Sequence, residues 1–233
     1  AGKIIAMTRT GCDQEHLSFV LFSMPGDISD RSAYLRGDAV KNPGYAIAGQ
    51  LEKMSELGVT SAVIACNTAH ASPIFDTALG VLKDKGIKLQ LLHLVNETVE
   101  HIRHVLPAIQ KIGVLGTQGT YRSGLYGEAL AAAGLQAVLP SHAIREEVVH
   151  AAIYAPAYGI KTSGGVVTEK ARELAHSAVR HVREQGAQAI ILACTELPLA
   201  IAEEQFEGIP IIDPARIAAR KLVKLYYPDR LAE

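Results

Sequence analysis

The sequence predicts an α/β fold built from a duplicated parallel-sheet unit, and three observations carry that prediction. Apolar runs of strand length alternate with amphipathic stretches of helix length, the pattern that β–α crossovers produce. The run Ala62 to Ala65 is continuously apolar, as a strand buried on both faces requires. The segments GVTSAVIAC (Gly58 to Cys66) and GAQAIILAC (Gly186 to Cys194) then repeat a glycine stop, a strand and a terminal Ala-Cys at an offset of 128 residues, each lying between a long helix and a short one.

Each element has a local reason. Asn42-Pro43 supplies an N-cap and a first-turn proline, Ile47, Leu51 and Met54 follow at helical spacing, and Gly58 stops the chain, so residues 43–57 form a helix. A strand over 62–65 follows. Ser72-Pro73 opens the next helix, which runs to Gly86, residues 87–94 read as a strand, and Asn96 caps a helix across 97–106. A second unit then begins with strand 112–116, a GTQGT loop, helix 120–133 stopped by Gly134, strand 135–139 and a helix near 143–154. The glycine- and proline-bearing stretch 155–167 is a loop, and Thr168 caps a long helix with Leu174, Ala178 and Val182 on its apolar face. Strand 188–193, a short helix from Pro198, strand 209–212 and a helix opened by Asp213-Pro214 complete the order. The first unit starts on AGKIIAMTR, which reads as helix interior, so it is expected to lack an opening strand. Residues 1–98 are read as one lobe, joined by the C-terminal helix 213–233, and residues 99–212 as the other.

Composition narrows the function. With 233 residues, 48% hydrophobic and 20% charged, the chain can build its own core and is not disordered. Lys and Arg total 23 against 24 Asp and Glu, so no net positive field attracts nucleic acid or an acidic membrane surface. No apolar run approaches the ~20 residues that cross a bilayer, and no charged-then-apolar leader opens the chain, so a cytoplasmic protein is expected. Three cysteines make no disulfide framework. Any cysteine chemistry is thiol chemistry.

Parallel sheets place ligands at the carboxyl ends of their strands, where both repeats put a cysteine, Cys66 and Cys194, just before a helix. One buried cysteine is usually a small core hydrophobe. Two in pseudo-symmetric positions, each near helix N–H groups that stabilise a thiolate, point to reactivity instead. Cys12 has no such partner. Asn67-Thr68 and Thr195-Glu196 follow the two cysteines and either cap the next turn or bind a carboxylate or amine. Thr117, Gly119 and Thr120 form a candidate anion cradle between a strand and a helix start. Arg31 in a turn-rich loop and Lys161 in a glycine-flanked one are candidate anchors for a carboxylate, or ordinary surface cations. Cys66 and His70, four residues apart, do not complete a zinc shell, so no metal is expected. A lone Lys161 is too little for pyridoxal phosphate, so no cofactor is expected either.

The paired motifs ACNTAH (Ala65 to His70) and ACTELPL (Ala193 to Leu199), with SMPGDISDR ending at Arg31, GTQGT and Lys161, resemble the aspartate/glutamate racemase superfamily, specifically its aspartate racemase branch. The resemblance covers nearly the whole chain. It implies two pseudo-symmetric parallel-sheet α/β domains with the active site in the cleft between them. It also implies that Cys66 and Cys194 are the acid/base pair, with Arg31, Thr68, Thr117, Lys161 and Thr195 around the substrate. Glutamate racemases follow the second cysteine with Thr-His, and Thr195-Glu196 here favours the aspartate branch. The family's opening strand and glycine-rich loop are absent. The expected function is cofactor-independent racemisation of an amino acid, aspartate or a related acidic one, and the expected partners are a small amino-acid substrate and a second copy in a homodimer. Inversion without a cofactor needs a base on one face of the α-carbon and an acid on the other, which two facing thiols provide. A two-lobed small-molecule binding protein is the rival of another class, and hydantoin racemase or maleate isomerase activity the rivals within the superfamily.

Overall fold

β1 (Ser61–Val63) and β2 (Gln90–Leu92) pair in parallel as a two-stranded sheet. β3 (Lys111–Gly116), β4 (Gln136–Val138), β5 (Ala189–Ala193), β6 (Gln205–Phe206) and β7 (Ile209–Ile212) form a second sheet in the order β4-β3-β5-β7-β6, parallel except for the antiparallel β6. The computed structural model describes residues 1–232. The mixed α/β class with parallel sheets is as the sequence predicts.

The central strand of the larger sheet is β5, AIILA, buried along its whole length. Ile190 and Leu192 face a core with Leu115, Val179 and Val182, while Ile191 faces Ile112, Val114, Ile102 and Leu130 on the other side. Both faces being covered explains why this strand reads as one apolar run. Gly113 packs closely in β3: a Cβ there would lie 3.0 Å from both Ile190 Cγ1 and Val182 Cγ2, so those side chains would have to give way. The smaller sheet packs on its own cluster, with Ile47 and Leu51 of helix Pro43–Glu56 and Ile74, Ala78 and Leu82 of helix Ser72–Asp84.

Capping follows the sequence at several helices. Asn42 Oδ1 accepts from Gly44 N at 2.8 Å, Thr168 Oγ1 from Ala171 N at 3.2 Å, and Asp213 Oδ1 from Ala215 N at 3.0 Å. Elsewhere the structure departs from expectation. The helix expected over 120–133 is two, Gln118–Arg122 and Leu125–Ala132, because Gly124 takes a left-handed conformation with φ 66°. The helix expected from 97 begins at Leu94, where His93 Nδ1 accepts from Asn96 N in place of an Asn96 cap. The strand over 87–94 contracts to β2, which has a neighbour on one side only. Residues Ile144–His150 wind as π-helix before an α-turn at Ala151–Tyr154. β6 and the helix Arg31–Arg36, capped by Asp30, are additional to the predicted elements.

The chain enters on a short helix, Gly2–Ala6. Helix Leu94–Val105 contributes Val95, Val99 and Ile102 to the core of the larger sheet, and Ile217 of helix Pro214–Tyr226 joins it there. At its far end Tyr226 donates to Ser61 Oγ at 2.7 Å, so the last helix touches both halves of the molecule. Residues 17–23 make no backbone–backbone hydrogen bond among the described residues, and Phe19, Val20 and Leu21 there stand exposed.

Candidate active site

The site is assembled from the ends of two parallel strands. Beyond β1, Cys66 is the N-cap residue of a single 3-10 turn, Asn67–His70, and its carbonyl accepts from Ala69 N at 3.2 Å. Beyond β5, Cys194 enters the turn that leads to helix Leu197–Ala200, and its carbonyl accepts from Leu197 N at 3.1 Å. Cys66 is half-buried and Cys194 buried, and both line one cleft of about 320 Å³, counting its open mouth. Arg31, Asn67, Thr68, Thr117, Lys161, Thr195 and Glu196 line the same cleft. Cys12 is exposed and is not among its lining residues.

The charged neighbours of the two sulfurs have opposite signs. Arg31 stands beside Cys66; burial pulls the guanidinium pKa down, and the Cys66 and Asp30 charges more than offset this, leaving it raised. Cys194 Sγ donates to Glu196 Oε2 at 2.9 Å, and Thr195 Oγ1 donates to the same oxygen at 3.2 Å. Lys161 Nζ lies 3.2 Å from Glu196 Oε1. Burial pushes the Cys194 thiol well above the ordinary thiol range, and the Glu196 carboxylate pushes it the same way. Burial also pushes Glu196 up, but the Cys194 hydrogen bond and the Lys161 charge outweigh it and hold the carboxyl below its usual value. A thiolate at Cys66 thus has a cation beside it, whereas a thiolate at Cys194 has an anion.

Two buried polar contacts fix the turn after Cys66. Tyr126 donates to Asn67 Oδ1 at 2.6 Å. Thr68 Oγ1 lies 3.1 Å from Thr117 Oγ1 and 3.2 Å from Thr120 Oγ1, which are themselves 3.2 Å apart, so three hydroxyls close a triangle between the two halves of the site. Thr120 is not a lining residue; it lies behind Thr117, and its N–H is taken by Thr117 Oγ1 at 3.4 Å. The space above Gly119 is also occupied, since a Cβ there would come within 2.6 Å of Ser32 Oγ and 2.8 Å of Thr68 Cγ2. The glycine of the GTQGT loop therefore admits the facing lobe.

Tyr154, Asp30 and Ser32 line the cleft without having been singled out in the sequence. Lys161 Nζ sits 5.4 Å from the Tyr154 ring centroid, and burial raises the phenol to about 12. Tyr154 ends a helix, where helical spacing alone gives no sign that it faces a cleft. Asp30 shows itself in sequence as the cap of Arg31–Arg36, not as a cleft residue.

Behind Cys66, His70 is buried, and burial together with the neighbouring His93 lowers its pKa to about 4. The unfolded chain then binds a proton that the folded chain refuses between about pH 6.5 and 4, so stability falls as pH drops through that window. The loss expected from His70 is about 1 kcal/mol by pH 5.5, before most carboxylates titrate. Urea unfolding at pH 7.5 and 5.5 measures it, and an unchanged or higher midpoint at the lower pH contradicts it.

A family model described as Asp/Glu/Hydantoin racemase matches residues 2–222. The chain is 30% identical over 181 residues to the broad specificity amino-acid racemase RacX of Bacillus subtilis, covering 78% of this chain and 71% of that protein. It is 27% identical over 179 residues to a glutamate racemase of Carboxydothermus hydrogenoformans, covering 76% of this chain but only 60% of that protein's length. Among solved structures, Picrophilus torridus aspartate racemase superposes with a TM-score of 0.77 at 26% identity, covering 96% of this chain and 86% of that one.

Proposed function

Because the chain belongs to the Asp/Glu/hydantoin racemase family, we propose that it is a cofactor-independent amino-acid racemase acting on aspartate or a related acidic amino acid, with Cys66 and Cys194 exchanging the α-proton. The observation that carries this reading is the convergence of both cysteines on one cleft with charged neighbours of opposite sign.

The neighbours of the two sulfurs divide the roles: Cys66, with Arg31 beside it, is assigned the base, and Cys194, donating to Glu196, the acid. An amino acid seated between them loses its α-proton to the Cys66 sulfur on one face while Cys194 delivers a proton to the other. The developing carbanion needs hydrogen-bond donors and little water around it. The polar residues Asn67, Thr68, Thr117 and Thr195 line the cleft where such donors are needed. Arg31 and Lys161 give the cleft two cations for a substrate with two carboxylates, which favours an acidic amino acid over a neutral one. The similarity to the aspartate racemase of Picrophilus torridus supports the same choice.

The reaction leaves Cys194 as thiolate beside Glu196, so the return direction starts from the less favourable charge arrangement. The two enantiomers have equal free energy in water, so kcat/KM must be equal in both directions. The charge asymmetry therefore enters kcat and KM together. Incubation with each L-amino acid in deuterated water, followed by proton NMR, tests the reading directly. The α-proton signal of aspartate is expected to disappear fastest as the D-enantiomer accumulates, whereas binding without any exchange would identify a two-lobed binding protein.

A further inference from the structure

We infer that His70 is a positioning residue for Cys66, its imidazole Nδ1–H holding the Cys66 carbonyl and so fixing the turn that presents the thiol to the cleft. This rests on the two-thiol reading above. His70 Nδ1 lies 2.9 Å from Cys66 O, and because a carbonyl only accepts, that nitrogen carries the proton. Nε2 is then the acceptor, and it is buried without a partner. The ring is packed against Phe75 at 5.1 Å and His93 at 4.9 Å. An apolar ring would fill the same space without leaving a buried nitrogen unsatisfied, so packing alone does not account for a histidine there. The polar contact that its side chain makes is the one to Cys66.

The anchor is itself anchored. His93 Nδ1 accepts from Asn96 N at 3.3 Å, which leaves Nε2–H to donate to the carbonyl of His70 at 3.2 Å. The start of helix Leu94–Val105 thus holds the main chain of His70, and the side chain of His70 holds Cys66. With Ala69 N as a second donor, the Cys66 carbonyl has its orientation fixed from two sides. The sulfur is not in contact with His70 through these bonds, so the residue acts on geometry rather than on the proton in flight. A misplacement of about 1 Å at a reacting group is enough to cost ~100-fold in rate.

The test compares His70→Asn with His70→Gln. The amide nitrogen of asparagine falls near the place of Nδ1 and that of glutamine near Nε2, so both are polar but only the first can restore the bond. Each is made in a Cys194→Ser background, where α-proton exchange in deuterated water reports Cys66, and in a Cys66→Ser background, where it reports Cys194. His70→Gln is expected to slow the Cys66 exchange at least ~10-fold and the Cys194 exchange by less than ~3-fold, and His70→Asn to stay within ~3-fold in both. Equal losses in the two backgrounds, or no advantage of asparagine over glutamine, would overturn the proposal. A substrate-independent arm separates it from the racemase reading: peptide-resolved iodoacetamide labelling against pH, with Cys12 as internal reference. The labelling profile of Cys66 is expected to shift in His70→Gln and return in His70→Asn, and a profile common to all three proteins would overturn the proposal even if racemisation is observed. Failure of the unaltered protein to exchange any α-proton, with the labelling shift intact, would instead remove the racemase reading and leave the positioning role standing.

Discussion

Replacing Cys66 or Cys194 by Ser is expected to reduce racemisation by at least ~100-fold, the usual contribution of a positioned acid or base, while leaving one-sided α-proton exchange. A hydroxyl is far less acidic than a thiol and supplies neither the base nor an adequate acid. The remaining cysteine still faces the α-carbon of one enantiomer and can exchange its proton with solvent. Cys66→Ser and Cys194→Ser should therefore show opposite enantiomer preferences. The structure adds an order to them. With Cys194 removed, the active thiolate is Cys66 beside Arg31; with Cys66 removed, it is Cys194 beside Glu196, so Cys194→Ser should retain the faster exchange. Ser is close to Cys in size and can keep the hydrogen bond to Glu196, so both variants should fold. Exposed Cys12 provides the control, and Cys12→Ser should racemise normally. Full racemisation in both active-site variants would end the two-thiol mechanism.

Lys161→Met is expected to lower kcat/KM for aspartate at least ~10-fold, since a half-desolvated charge pair with a substrate carboxylate contributes more than ~1.4 kcal/mol to transition-state binding. Alanine, which lacks the side-chain carboxylate, should lose less. Lys161 also holds Glu196 at 3.2 Å, and its removal strengthens the anionic character around Cys194. That second effect falls on every substrate alike. Adding Glu196→Gln to Lys161→Met removes it, so the aspartate-specific part of the loss should survive in the double variant. Equal losses for aspartate and alanine there would assign Lys161 to the common α-carboxylate.

The sequence made the two cysteines legible because the echoed segments GVTSAVIAC and GAQAIILAC put each one just beyond a strand, a pattern that depends on local order alone. Arg31 and Lys161 were legible only as cations, and what they face, Cys66 and Glu196, is set by how distant segments meet. The same limit hid Tyr154, which helical spacing cannot aim. Glu196 sits two residues beyond Cys194, and nothing in that spacing tells that its carboxylate returns to the thiol rather than reaching outward. Thr120 read as a ligand-facing donor of a glycine loop, yet its hydroxyl closes a contact with Thr68. Local misreadings have local causes. Gly124 lies inside an amphipathic stretch and breaks it by taking φ 66°, a conformation the apolar pattern does not register. His93 serves as a cap although histidine is not a preferred one.

The two sheets also give the two halves of the site unequal lifetimes. Cys194 hangs from the fully buried centre of a five-stranded sheet, whereas Cys66 follows a two-stranded one. A two-stranded sheet has little stability of its own and depends on the helices packed over it. Excursions that open part of the fold are therefore expected first around Cys66, displacing that sulfur while Cys194 stays in place. Warming well below the global melting temperature should then abolish the proposed α-proton exchange reversibly, through loss of order around Cys66, before the larger core has begun to unfold.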